Sequence, residues 1–276
     1  QISMKNYADV IKAYDEGRYW QYEIRKVSGS MPSNRWFDLS YSGGLPLPNY
    51  YASAPLVMEH MDTNKGIFKG AKGGQGYVHK IALYCGSESY QLQLLDYIAY
   101  VPFIDLDSTD QQDIEWNTPL PRFEDGAGLR VMAVCQGAGG ALTNLTMTYI
   151  NQDGIEKTAT TQLEATQGAG TIITTGLGTT SSVWMRLVQG DSGIRKIVSV
   201  TNSVSTGAIC ALVIVKPICN ITLAEKNTFG EVDYLIDRGY LPKVHNDAYL
   251  NFIGFNSHTA SITPVIHGFI QFIWEA

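Results

Sequence analysis

A chain of 276 residues, 45% hydrophobic and 17% charged, lies on the ordered side of the order–disorder divide and is long enough to bury about three-quarters of its unfolded surface without a metal or disulfide staple. The formal net charge of −6 argues against a phosphate-neutralising groove, so no direct nucleic-acid partner is expected. No run reaches the ~18 apolar residues of a membrane span and the first six residues carry no apolar signal core, so no membrane partner is expected either.

At the amino-terminal end, Ser3 is placed to cap a short helix whose apolar stripe is Tyr7, Val10, Ile11 and Tyr14, and Gly17 stops it. The period then changes to two. Trp20, Tyr22 and Ile24 alternate with Gln21, Glu23 and Arg25, which predicts a strand with one aromatic face. A helix of about three turns is marginal alone in water, so its stripe must dock on this chain or on a neighbour. Residues 1–28 are therefore read as an attachment or assembly arm, with docking on the chain's own core as the alternative. Residues 29–77 are rich in Gly, Pro, Ser and Asn, and Leu45 to Tyr51 is too proline-interrupted for a central strand. They read as an extended connection draped over the domain.

From residue 78 to 276 strand signals follow at close spacing. The candidates are Val78 to Cys85, Gln91 to Phe103, Leu129 to Cys135, a hairpin around Asp153-Gly154, Val183 to Val188, Ile194 to Val200, Ala208 to Val215, Ala248 to Phe255 and Val265 to Trp274. The expected fold is all-β: an antiparallel two-sheet sandwich, jelly-roll-like, with a short amino-terminal helix and arm. Cys85, Cys135, Cys210 and Cys219 lie in or beside apolar runs without C-x-x-C spacing and read as reduced core thiols.

Chemical motifs fail on inspection. Gly190-Asp191-Ser192-Gly193 is similar to the nucleophile segment of trypsin-like serine proteases but departs at Ile194, and no histidine sits in a matching context, so a turn is the expectation. The glycine-rich run from Gly70 to Gly76 lacks a following Gly-Lys-Ser/Thr. Asp105, Asp107, Asp110 and Asp113 miss the calcium-loop spacing and read as a solvated acidic turn. The histidines have no zinc spacing. No catalytic, metal or cofactor residue is assigned, and a non-enzyme is expected. Trp20, Trp36, Tyr41, Tyr50, Tyr51 and Trp116 fall in the arm or in loops, where such rings form interfaces, stack on sugars or seal the ends of a sandwich. The interface candidates are Tyr7, Val10, Ile11, Tyr14, Trp20, Tyr22, Trp36, Tyr50 and Tyr51.

Several stretches form a set: Arg35-Trp36-Phe37-Asp38-Leu39-Ser40, Pro48-Asn49-Tyr50-Tyr51, Tyr100-Val101-Pro102-Phe103-Ile104-Asp105 with Asp107-Ser108-Thr109, Leu120-Pro121-Arg122-Phe123-Glu124-Asp125-Gly126-Ala127-Gly128, Gly190-Asp191-Ser192-Gly193-Ile194-Arg195, and Tyr234-Leu235-Ile236-Asp237 with Leu241-Pro242. In that order they resemble virion structural proteins of tailed bacteriophages. The resemblance implies a non-enzymatic β protein of the virion, assembled in the bacterial cytoplasm, that decorates or cements the capsid or is a minor head component. Its partners would be the major capsid protein or other virion proteins, and a homo-oligomer, a trimer matching a local symmetry axis of the shell, is expected. The alternative is a tail or fibre-associated module that binds a host surface glycan through its loop tyrosines and tryptophans.

Overall fold

A computed structural model of the chain describes residues 4, 6–27, 31–49, 51, 56–67, 69–70, 73–86, 90–137, 139–164, 168–174, 182–258, 260–263 and 265–276. In chain order its elements are α1 (Tyr7–Asp15), β1 (Tyr19–Val27), β2 (Arg35–Asp38), a 3-10 turn (Leu39–Tyr41), β3 (Gly43–Leu45), β4 (Glu59–His60), β5 (Gly76–Cys85), β6 (Tyr90–Asp105), β7 (Gln112–Asp113), β8 (Arg130–Gly137), β9 (Thr143–Asn151) and β10 (Glu156–Leu163). There follow β11 (Ile194–Asn202), β12 (Ile209–Leu223), β13 (Phe229–Asp233), α2 (Tyr234–Arg238), β14 (Lys243–Val244), β15 (Tyr249–Asn256) and β16 (Val265–Trp274). The sandwich is all-β and antiparallel, as expected.

It is built from three sheets rather than two. A terminal sheet has the order β13-β5-β16-β1-β3 with β14 on β5, a central sheet β2-β15-β6-β12-β8 with β4 on β6, and a distal sheet β10-β9-β11-β7. The cause lies in β6 and β12, 16 and 15 residues long, against a usual strand of 5–6. Directly opposed residues of a ladder share a face. Leu223↔Tyr90, Ile221↔Leu92 and Cys219↔Leu94 at one end therefore share a face with Lys216↔Asp96 in the middle and Ile214↔Ala99, Leu212↔Val101 and Cys210↔Ile104 at the other, because one-residue slips on the two strands offset each other.

That single face carries two cores. Its first end packs on Ile24, Ile81, Ile270 and Phe272 of the terminal sheet, and its second on Leu145, Met147, Tyr149 and Ile197 of the distal sheet. Between them the buried Asp96 carboxylate takes Arg122 through Nε at 2.8 Å and through its second guanidinium nitrogen. The opposite face, with Tyr97, Val213 and Tyr249, is closed by Tyr51, Met61, Ile172 and Val183. The described residues of the connection after β1 close this face through Tyr51 and Met61 and contribute β2, β3 and β4.

Local chemistry accounts for most elements and corrects some expectations. Asn6, not Ser3, caps α1: its Oδ1 accepts from the Asp9 amide at 3.0 Å while an Asp9 carboxylate oxygen accepts from the Asn6 amide at 3.3 Å. Ser3 lies outside the described residues. Gly17, at φ +68°, stops the helix as expected. The Asp153-Gly154 turn joins β9 to β10 with the Gly154 amide donating to the Asn151 carbonyl at 3.0 Å. The predicted strand Val183 to Val188 does not form. Instead the Met185 amide donates to the Val131 carbonyl at 2.7 Å and the Arg186 amide to Thr161 Oγ1 at 2.8 Å, so this segment follows β8 and β10 irregularly.

The boundary at residue 28 does not separate a projecting arm from the sandwich. β1 pairs with β16 over all nine of its residues, Tyr19↔Ile273 to Val27↔Val265. α1 docks on the same sheet through Val10 and Ala13, both buried.

Candidate interaction surface

The predicted helix stripe splits. Val10 turns inward, whereas Tyr7 and Ile11 are 49% and 50% exposed, neighbours at i, i+4 on the outer side of the helix. Tyr14 bridges the two sides. Its ring stacks on Tyr19 at 4.7 Å between centroids, its hydroxyl donates to Gln271 Oε1 at 3.2 Å, and it lies 3.0 Å from His79 Nδ1. His79 Nε2 in turn stands 3.1 Å from an Asp233 carboxylate oxygen. Burial, and then the Asp233 charge, push the Tyr14 hydroxyl up to about 12. Exposed Tyr19 at the start of β1 extends this apolar strip onto the sheet, whereas the adjacent Trp20, also exposed, points to the opposite face, on the register of Phe272 and beside Gly70.

Beyond α1, the outer face of the terminal sheet carries a row read directly from the register: Phe229, Tyr84, His267, Arg25 and Leu45 stand opposite one another across five strands. Phe229 is 64% exposed and lies against Tyr84 at 5.6 Å. The β3 edge adds exposed Val27, Leu45 and Leu47. Lys80 pairs with Glu231 at 2.6 Å on the same face. The enrichment of this face in aromatic rings is a feature that protein–protein contact surfaces share.

Other predicted interface residues are used inside the chain. Tyr51 is buried, and its hydroxyl donates to Asp38 at 2.5 Å, as Tyr97 does at 2.6 Å. The Ser40 amide adds a third donor at 2.9 Å, yet burial still raises Asp38 above the ordinary carboxylate range. Trp36 packs on Phe255 at 5.4 Å and on the loop-covered core, and Tyr22 is half-buried against the terminal-sheet core. Tyr50 lies outside the described residues. Of the eight candidates among the described residues, only Tyr7, Ile11 and Trp20 present substantial surface. Phe229 was missed because β13, interrupted by Gly230, gives too short an alternation to be read as a strand; Tyr84 and His267 lie in strands that were predicted, and only the register shows that they face outward beside it.

The segments that suggested chemistry serve the fold. Asp191 accepts from the Tyr149 hydroxyl at 2.5 Å and Asn151 Nδ2 at 2.8 Å, while the Ser192 amide donates to Gln152 Oε1 at 2.9 Å and its carbonyl accepts from the Gly128 amide at 3.0 Å. Asp105 accepts a local backbone amide, from Asp107 at 2.8 Å, while Asp107 accepts the amide of Gly207 at 3.1 Å from the turn before β12. Among the described residues no group of three or more His, Cys, Asp or Glu side chains is gathered for a metal, and no helix is long and apolar enough to cross a membrane.

One cleft of about 510 Å³ opens at the junction of the two cores, lined in part by Phe123, Lys216, Tyr240, Leu241 and His245. Lys216 Nζ lies over the Phe123 ring at 5.1 Å and donates to the Ala127 carbonyl at 2.6 Å, so its charge is already engaged. Comparison with protein-family models, curated proteins and solved structures finds no match for this chain. The surface therefore stands on its own chemistry: a non-polar strip along α1 and β1 beside an aromatic sheet face.

Proposed function

We propose that the chain is a non-enzymatic structural component of a tailed-bacteriophage virion, a capsid decoration, cement or minor head protein that holds the shell through protein–protein contacts. The observation that carries this reading is the exposed strip of Tyr7, Ile11 and Tyr19 on a helix and strand fixed to the terminal sheet. Such a strip offers a partner apolar area with little ordering cost. The stretches that carry the resemblance support it, because they act as joints rather than as reactive groups. Gly126 accepts from the Ile194 amide at 3.1 Å, Ala127 bridges Gly193, and Arg122 anchors to Asp96.

The tail or fibre reading required loop aromatics free to stack on sugar. Among the described loop aromatics, Trp36 and Tyr51 are packed and Trp116 is partly buried against the distal core, which leaves those rings little free face for a sugar and supports the protein-partner reading. The test is a Tyr7→Ser, Ile11→Ser double variant presented to shells that lack this component. We expect an unchanged circular dichroism spectrum and binding weakened tenfold or more. Undiminished binding would remove the strip as the attachment surface.

A further inference from the structure

We propose that Cys135 and Cys210 form a latent cross-strand dithiol that closes to a disulfide when a low-molecular-weight disulfide reaches the folded chain. They are directly opposed in the β8–β12 ladder and both are fully buried thiols. The backbone around Cys135 identifies which kind of ladder position this is. Its amide donates to the Thr171 carbonyl at 2.8 Å and its carbonyl accepts from the Gly170 amide at 2.9 Å, so both groups face away from β12. The Ala133 carbonyl, two residues earlier, likewise accepts from Ile173 at 2.9 Å. Cys135 and Cys210 are therefore a non-hydrogen-bonded antiparallel pair. In such a pair the Cα atoms stand about 4.5 Å apart with side chains turned together, within the ~4.4–6.8 Å that a disulfide spans.

The other two cysteines supply an internal control. Cys85 faces Ile266 on the terminal sheet and Cys219 faces Leu94 on the central one, and packed sheets are held about 10 Å apart. Neither is opposed by a thiol in its ladder.

Access comes from the ladder end. The pair sits next to the terminal contact Ile209↔Gly137, where local opening costs least. Cys135 Sγ already lies 3.2 Å from the Gly137 carbonyl at that end. With oxidised glutathione, the Cys135 thiolate attacks one reagent sulfur and expels one glutathione thiolate. Cys210 then attacks the Cys135 sulfur of the mixed disulfide and expels the second. Two thiol protons and two electrons pass to the reagent, giving one protein disulfide and two molecules of glutathione. Burial raises both thiols, so closure is slow until the strand end opens. The inference is independent of the proposed virion role.

The experiment incubates the folded full chain with oxidised glutathione, traps remaining thiols in denaturant and maps the peptides. We expect two of the four thiols to disappear, one linked peptide pair containing Cys135 and Cys210, and a Tm raised by several degrees because the new bond closes a long loop. Cys210→Ser should give no internal linkage. Four surviving thiols, a linkage through Cys85 or Cys219, or a glutathione adduct that stays on Cys135 in the parent chain would each overturn the proposal.

Discussion

Asp96 and Arg122 hold the middle of the central sheet where neither flanking sheet covers it with a continuous apolar layer, and both are buried. Asp96→Ala leaves a guanidinium without its carboxylate, which costs about 3–5 kcal/mol. Urea denaturation should show the midpoint fall accordingly, and a loss under 1 kcal/mol would mean that the pair contributes little. Lys26 is a second buried charge, its Nζ donating to the Ser42 and Pro46 carbonyls at 3.1 and 2.5 Å. Burial, partly offset by Asp38, lowers it from 10.5 to about 8. Below pH 8 both folded and unfolded chains carry the proton and the fold bears the full desolvation cost. Between pH 8 and 10.5 the unfolded chain holds more protons, so this group makes stability rise with pH. Buried Cys210 and Cys219, raised by desolvation, tilt the parent curve the other way above their ordinary range. The Lys26 effect is therefore read against Lys26→Met: the parent should gain on the variant by up to about 1.4 kcal/mol per pH unit in that window. A constant difference would contradict it. The Asp96 pair was not legible in the sequence, since its partner lies 26 positions away; Lys26 falls on the apolar register of Trp20, Tyr22 and Ile24 and breaks their alternation, but the carbonyls that receive its ammonium come from Ser42 and Pro46, beyond the strand.

At the scale of elements, α1 shows how periodicity informs and where it stops. The repeat of Tyr7, Val10, Ile11 and Tyr14 located the helix, but its inward face was decided by Ala13, whose small side chain lets the helix approach β16. A four-residue apolar pattern cannot say which two of its members turn inward. Asn6→Ala should cost about 1 kcal/mol by removing the capping box, read as a drop in thermal midpoint, whereas exposed Tyr7→Ser should stay within about 0.5 kcal/mol. Gly268 makes a sharper prediction. It sits within β16 at φ +145°, and a Cβ there would run into the Ala82 carbonyl of β5. Gly268→Ala should destabilise by about 2–3 kcal/mol. A neutral result would show that the β16–β5 ladder can shift to receive it. The hairpin of β9 and β10 was legible because Asp-Gly fixes its own turn. The segment from Val183 to Val188 was misread because its alternation comes from residues anchored singly to β8 and β10, not from pairing.

For the whole molecule, the antiparallel class and the long strands were visible in the spacing of apolar runs and glycine turns, but the short strands β2, β3, β4, β7, β13 and β14 were not, and neither was the third sheet. It arises from the slips near Ile98 and Ile218 that keep both apolar ends of β6 and β12 on one face, on either side of the Asp96↔Lys216 pair, and a slip leaves no mark in composition. The same architecture changes what a truncation tests. Removing residues 1–28 would take β1 from between β16 and β3 and leave an open edge, so we expect an aggregating chain rather than a folded one without its attachment function. A soluble, monodisperse truncation would show that β1 is dispensable. If the chain assembles around a local symmetry axis of a shell, sedimentation equilibrium should give a trimer, and a strict monomer at micromolar concentration would count against that symmetry. The proposed role itself is tested most directly by quantitative mass spectrometry of purified particles from the phage or prophage that encodes this chain: we predict hundreds of copies per particle, in fixed ratio to the major capsid protein, while absence from the particles would contradict a virion role and a handful of copies would contradict a place on the shell.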